Sequence, residues 1–279
     1  MHCKNIVLSS LKESLISIWK SKLLFILLFF LQIAFFIIFA ITSYHYQTKI
    51  IENANNIFNY LNNQQLSEAD VTERLLHGKN VLGDDPLSIS RNFNSIVKNF
   101  RIYLVYVFVF IIVFMSTSWS ITSRIVNKIN FKQLTSNFLK MFVVLMFYLG
   151  LVFSFFYSLL NISFTEIAVE NAKFLTKYLI FMIFSVILVY FMFVSISLLH
   201  NTGLKDIVQK TLSVGIKKIH YILAVYFINI LLFISSIFLL LYFIEKNLFI
   251  LFISIVLMVF SFVFGRIFMV NVIEKLDWE

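Results

Sequence analysis

Six long apolar runs constrain this chain more than any other feature of its sequence. A helix needs about 20 apolar residues to cross the hydrocarbon core of a bilayer, and every run is long enough. The runs contain no Asp, Glu, Lys or Arg, apart from Arg266 close to the end of the last one. The whole chain is 60% hydrophobic and only 13% charged, far from the balance of a soluble domain. We therefore predict an all-α integral membrane protein with six transmembrane helices, at residues 23–44, 102–123, 141–160, 178–199, 219–244 and 248–270.

Basic residues flank these runs unequally, which predicts the orientation of the chain. Three flanking segments carry four Lys or Arg residues each, whereas the two short opposite loops carry two and one. Positively charged loops stay in the cytosol. We expect a multi-pass protein of the cell membrane with both termini in the cytosol, including a tail at 271–279. The cytosolic set is Lys4, Lys12, Lys20, Lys22, Arg124, Lys128, Lys132, Lys140, Lys205, Lys210, Lys217 and Lys218, and the opposite set is Lys173, Lys177 and Lys246.

Each basic segment also has apolar residues at the helical period, and each precedes a pair of apolar runs. The segments lie at 1–22, 124–140 and 200–218. They predict three units, each an amphipathic helix followed by a transmembrane hairpin. In the first segment the expected apolar stripe is Val7, Leu11, Leu15 and Ile18.

A basic amphipathic helix before a span usually lies in the membrane interface, where Lys is attracted to anionic lipid. We therefore expect the three segments to contact anionic lipids of the inner leaflet. An alternative is that they form a docking surface for a cytosolic protein. The lysines expected to contact lipid are Lys12, Lys20, Lys132, Lys140, Lys205 and Lys217.

The first outside loop, 45–101, is the largest connection and is expected to form a small helical insertion on the extracytoplasmic side. Its apolar residues continue the helical pattern of the first run, and Ser67 is suited to cap a helix over 68–76. From Leu87 a further helix could continue into the second run. Such an insertion is too short for an independent enzyme domain, so we expect at most a surface for a partner or ligand.

Polar side chains within the runs are few. Gln32, Asn229, Ser195 and Ser235 are the residues that could either bond between helices or line a polar path. The Ser116–Ser120 segment is simpler to explain, because hydroxyls can bond to the carbonyl one turn earlier. We find no nucleophile with an evident base, no phosphate-binding glycine loop and no set of metal ligands, so the sequence predicts no catalytic residue, cofactor or metal, and no nucleic-acid partner.

The segments that begin at Leu11, Phe131 and Leu204, with the hairpins after them, carry a resemblance. This layout resembles the membrane domain found fused to some glycerophosphodiester phosphodiesterases, together with related six-span families of bacteria and archaea. The resemblance covers most of the chain but concerns architecture alone. The chain departs from that group by lacking a phosphodiesterase domain and by carrying the insertion, so it implies no catalytic residues.

Two functions fit these features. The first is a non-enzymatic membrane protein that serves as a scaffold or accessory subunit of an envelope complex, which the uncharged runs and the three basic surfaces favour. The alternative is a permease or transporter subunit with a weakly polar central path. Convergence of Gln32, Asn229, Ser195 and Ser235 on one cavity would favour the alternative.

Overall fold

The computed structural model describes residues 2–63, 87–159, 171–199, 202–243 and 248–278. This part of the chain is helical and contains no strand, as predicted. The helices are α1 (His2–Lys20), α2 (Lys22–Asn63), α3 (Leu87–Asn127), α4 (Phe131–Leu159), α5 (Asn171–Leu198), α6 (Ile207–Lys217), α7 (Ile219–Phe243) and α8 (Leu248–Trp278).

Six of these helices, namely α2, α3, α4, α5, α7 and α8, are long and apolar enough to cross a membrane. The chain is therefore a polytopic membrane protein of the predicted all-α class. The expected helix over 68–76 and the counted Lys246 lie outside the described residues. The segment expected as a tail from residue 271 onward continues α8 as far as Trp278.

Helices α2 and α3 are much longer than a span, with 42 and 41 residues. The 19 residues of α2 beyond the first run, 45–63, add about 28 Å at 1.5 Å per residue. The two helices pack together along their length. The Phe35 ring lies 5.1 Å from that of Phe110 and 4.0 Å from that of Phe114, and the hydroxyls of Ser43 and Tyr103 are 2.8 Å apart. They form a hairpin that extends beyond the apolar runs.

Helix α8 lies at the centre of the bundle, where it contacts α1, α2, α3, α5 and α7. Its second half is almost completely enclosed, with Val263, Ile267, Phe268 and Val270 all at 0% exposure. A helix that is apolar on every side can be buried on every side. The core of the protein is therefore built around this half of α8 rather than around the middle of each span.

Several polar contacts fasten other segments to the end of α8. Asn271 donates to the Ser14 hydroxyl of α1 at 2.9 Å, and Lys275 forms an ion pair with Glu13 at 2.8 Å. The Asn127 amide, at the end of α3, donates to the Glu274 carboxylate. We call this region the amphipathic end of the bundle, and it comprises α1, the α3–α4 connection with the start of α4 (128–140), α6 with the segment before it (202–217), and residues 271–278 of α8.

Polar contacts also hold helix α6 against α8 and α5. Lys210 donates to both carboxylate oxygens of Asp277, at 3.1 and 3.0 Å. The Tyr190 hydroxyl of α5 donates to the carbonyl of Gly215 at 2.7 Å. The lack of a side chain at Gly215 allows α5 and α6 to approach closely, because a Cβ there would lie only 3.0 Å from the Phe191 ring of α5.

The structure corrects the predicted apolar stripe of α1. Val7 is buried and Leu11 and Ile18 pack against the core, as predicted. Leu15 instead remains 49% exposed, and Ser10 and Ser14 are fully enclosed. Serine is small enough to let two helices approach closely, so α1 packs through serines as well as apolar residues, and its outward face carries Leu8, Leu15 and Trp19.

The second amphipathic segment also differs from the other two. It is the first part of α4 and runs straight into the third span, whereas α1 and α6 end at a turn, around Ser21 and Lys218 respectively, before the next span. Only the first and third amphipathic segments can therefore lie at an angle to the span that follows.

Candidate functional site

Arg266, the charged residue within the predicted spans, lies on the enclosed half of α8 and is itself partly buried. Its Nη2 donates to the Oε1 of Gln32 on α2 at 2.7 Å, and Gln32 itself is only 4% exposed. The Nε of Arg266 is shielded from solvent and has no hydrogen-bond partner. Since a cation at this depth is costly, it is a primary candidate for a functional group.

Asn229 on α7 approaches α8 one residue before Arg266. Its Nδ2 donates to the carbonyl of Gly265 at 3.2 Å. A Cβ at position 265 would lie 3.1 Å from both Cγ and Oδ1 of Asn229, so a larger residue would push the amide away. With Nδ2 engaged, Oδ1 remains buried and without a partner.

A cavity of about 210 Å³ opens between these groups. Its lining is mostly apolar and aromatic and comes from α3, α5, α7 and α8, with a few polar groups; it includes Trp119, Phe193, Tyr226, Asn229 and Arg266. Trp119 is 1% exposed, and its indole Nε1 has no hydrogen-bond partner. Three side chains that line the cavity therefore carry enclosed polar atoms without a partner, namely the N–H donors of Arg266 and Trp119 and the Oδ1 acceptor of Asn229.

Of the four polar residues singled out in the sequence, one lines this cavity and a second contacts it only through Arg266. Asn229 lines the cavity and Gln32 holds Arg266 from the α2 side. Ser195 lies in another cluster, where its hydroxyl is 3.0 Å from both Tyr148 Oη and Thr211 Oγ1. Ser235 is exposed on α7 and donates to the carbonyl of Leu231 one turn earlier.

Sequence reasoning missed the role of Trp119 and gave none to Arg266. The available signal was the arginine itself, because a charge inside an apolar run needs a partner. Trp119 carried no such signal, since an indole within a span is apolar on most of its surface. In the Ser116–Ser120 segment, Ser116 and Ser120 donate to the carbonyls of Ile112 and Ser116 at 2.7 Å, as predicted, whereas the buried Ser118 hydroxyl has no partner.

Comparison with protein-family models, with curated proteins and with solved structures gives no match. Within the described ranges, no group of three or more His, Cys, Asp or Glu residues could hold a metal ion. The geometry of the chain itself therefore has to carry the functional argument.

The six lysines expected to contact lipid all lie at the amphipathic end. Five are exposed, and Lys140 is partly buried. Lys140 and Lys128 line a polar cavity of about 430 Å³ at the α3–α4 connection, together with the buried Asn137. Lys128 adopts a positive φ of 51°, which is uncommon outside glycine. The remaining lysines are Lys12, Lys20, Lys132, Lys205 and Lys217.

Proposed function

We propose that this polytopic membrane protein is a non-enzymatic scaffold or accessory subunit of an envelope complex. The observation that supports the proposal is the way α1, α3 and α6 are fastened to the end of α8. Ion pairs and amide contacts at Asn271, Glu274, Lys275 and Asp277 hold these segments in fixed positions. Such an arrangement suits a protein that presents a rigid surface.

The outward face of α6 supports the same function. Ile207, Thr211, Val214 and Gly215 are buried against the bundle. Val208, Leu212 and Ile216, on the opposite side, are 62%, 46% and 61% exposed. Apolar residues on both faces of a short helix indicate a second contact beyond the bundle itself.

We propose that the amphipathic end faces the cytosol in the cell membrane. Its basic residues favour the cytosolic side by the charge rule, and its exposed lysines suit anionic lipids of the inner leaflet. Trp19 is 73% exposed, and the Lys22 ammonium lies 4.0 Å from its ring centroid. A tryptophan beside a lysine is a typical anchor at the boundary between lipid and water.

Site-specific photocrosslinking in native membranes tests the scaffold function. A photoreactive residue at Leu212 should give one protein adduct of constant mass, and the same adduct should form from Ile216. The matched control is Ile183 on α5, which is 63% exposed within a span and should give only lipid adducts. Lipid adducts alone at all three positions would contradict a protein partner for α6.

The permease alternative is favoured by one observation, the cavity beside Arg266. A continuous path would also have to reach Ser195, which lies in a separate cluster. In a Cys3→Ser background, single cysteines at Asn229 and Ser195 can be tested with a small water-soluble thiol reagent. Labelling of both would support a water-filled path and the permease function, whereas protection of Ser195 would leave the cavity as a closed-ended site.

A further inference from the structure

Within the part of the chain that the structure describes, no acidic residue is paired with Arg266. Among the described residues, the ion pairs join other groups, and the one side-chain partner of the guanidinium is the neutral amide of Gln32. A buried cation is stabilised by an opposite charge and by hydrogen bonds to all its donors. An anionic group placed against Arg266 in the adjoining cavity would supply both.

The unused polar atoms around the cavity further define the ligand. Arg266 Nε and Trp119 Nε1 are donors, so they require oxygen acceptors, whereas Asn229 Oδ1 is an acceptor and requires a donor. A fully ionised phosphate or carboxylate can accept hydrogen bonds from the two donors but cannot donate one to Asn229. The set is satisfied by an anionic oxygen group that carries a nearby hydroxyl.

The position of the cavity indicates that the ligand comes from the bilayer. Arg266 lies four residues before the end of the predicted sixth span, or about 6 Å along the helix axis. On the predicted bounds of that span, Arg266 lies near the level at which lipid head groups meet acyl chains. At the edge of the cavity, Ile230 is 52% and Phe262 is 37% exposed, so an acyl chain could leave along their apolar side chains.

The size of the cavity agrees with a head group rather than a whole molecule. Sites for complete small ligands usually have volumes of about 300 to 1,000 Å³, whereas this cavity measures about 210 Å³. The aromatic lining from Phe193, Tyr226 and Phe233 suits glycerol carbons.

We propose that this cavity is a binding site for an anionic glycerophospholipid with a hydroxylated head group. The phosphate accepts hydrogen bonds from Arg266 and Trp119, and a head-group hydroxyl donates to Asn229. The site goes beyond the scaffold function, because it concerns a bound lipid and not a protein partner.

Native mass spectrometry of the full chain in nanodiscs tests the proposal. Phosphatidylglycerol is compared with phosphatidylcholine, which has no net charge, and with phosphatidylmethanol, which has the same charge but no head-group hydroxyl. The intact chain should retain phosphatidylglycerol best. Arg266→Gln should reduce this retention roughly tenfold or more, the usual effect of losing a hydrogen bond to a charged group.

Two further variants separate this site from general attraction to the basic surface. Trp119→Phe keeps an aromatic side chain and removes the N–H donor, so loss of its bond to the charged phosphate should lower retention by roughly tenfold or more. Lys132→Gln removes the charge of an exposed lysine that is expected to contact anionic lipids whatever their head group. It should lower retention by much less than Arg266→Gln and leave the preference for phosphatidylglycerol over phosphatidylmethanol unchanged. If Arg266→Gln fails to fold, the proposed lipid site is still tested by Trp119→Phe and by the comparison of the three lipids on the unaltered chain.

Other outcomes would overturn the proposal. Equal retention of the three lipids would exclude recognition of the head group. Equal loss in Arg266→Gln and Lys132→Gln would assign the effect to surface charge. Displacement of phosphatidylglycerol by inorganic phosphate would indicate a site for a free anion instead of a lipid.

Discussion

Replacing Ser14 by leucine tests how α1 is held on α8. The Ser14 side chain is 0% exposed, accepts a hydrogen bond from Asn271 at 2.9 Å and donates to the carbonyl of Ser10 at 2.7 Å. Leucine removes both bonds and places a larger side chain where no space is available. Overpacking of this kind costs about 1–3 kcal/mol, and loss of the bond to Asn271 adds about 1 kcal/mol.

The total penalty of about 2–4 kcal/mol corresponds to a roughly 30- to 700-fold change in the equilibrium between docked and undocked α1. Hydrogen exchange of the α1 amides in nanodiscs measures this equilibrium directly, because undocking exposes them. We expect faster exchange along α1, with the amides of α4 and α5 unchanged.

The matched control is Ser213→Leu, the same substitution on the exposed face of α6. It should leave exchange in both α1 and α6 within error of the unaltered chain. Equal protection of α1 in Ser14→Leu and in the unaltered chain would refute the reasoning, since it would mean that lipid, and not α8, holds this helix in place.

Three further predictions concern the core and the fastening of α6. Phe268→Ala should lower the free energy of unfolding by about 3–5 kcal/mol, because Phe268 is 0% exposed. The control Phe252→Ala should change it by about 0.5 kcal/mol or less, because Phe252 is 64% exposed. Denaturation in mixed micelles measures both values. The coupling free energy between Lys210 and Asp277, measured in a double-mutant cycle, should not exceed about 1 kcal/mol, because the lysine side chain is 41% exposed. A larger value would mean that the membrane shields this ion pair from water. Tyr190→Phe should cost about 0.5–1.5 kcal/mol through its lost bond to Gly215 and should speed exchange in α6, which hydrogen exchange can detect.

The transmembrane helices could be predicted from the sequence because hydrocarbon imposes one requirement on every span, a long apolar helix. Because every span meets the same requirement, the sequence does not show how the spans pack against one another. An apolar residue that faces lipid looks the same in the sequence as one that faces α8, so Leu15 was wrongly placed on the packed stripe of α1, whereas Val7, Leu11 and Ile18 were placed correctly. Leu15 and Val7 are both apolar, and only the position of the neighbouring helix determines which of them is buried.

Part of the candidate site could also be recognised in advance. Gln32 and Asn229 stood out because an amide inside an apolar run needs a partner. Their partners could not be identified, since Gln32 bonds to a residue 234 positions away and Asn229 to a backbone carbonyl 36 positions away. No local pattern encodes such pairings, and Trp119 joins the cavity through packing alone.

The central place of α8 has a consequence for biosynthesis. Ser14 and Asn271 are separated by 257 residues, so at 5–20 residues per second α1 emerges from the ribosome about 13 to 50 s before the helix on which it docks. During that interval the serine face of α1 has no partner, and its opposite face, with Leu8, Leu15 and Trp19, can hold it at the membrane surface. The earlier spans must enter the bilayer one by one and then gather around a helix that arrives after them. A ribosome that pauses between α7 and α8 would therefore leave a membrane-inserted chain that lacks its core, and this is the stage at which we expect the nascent protein to be most exposed to membrane proteases.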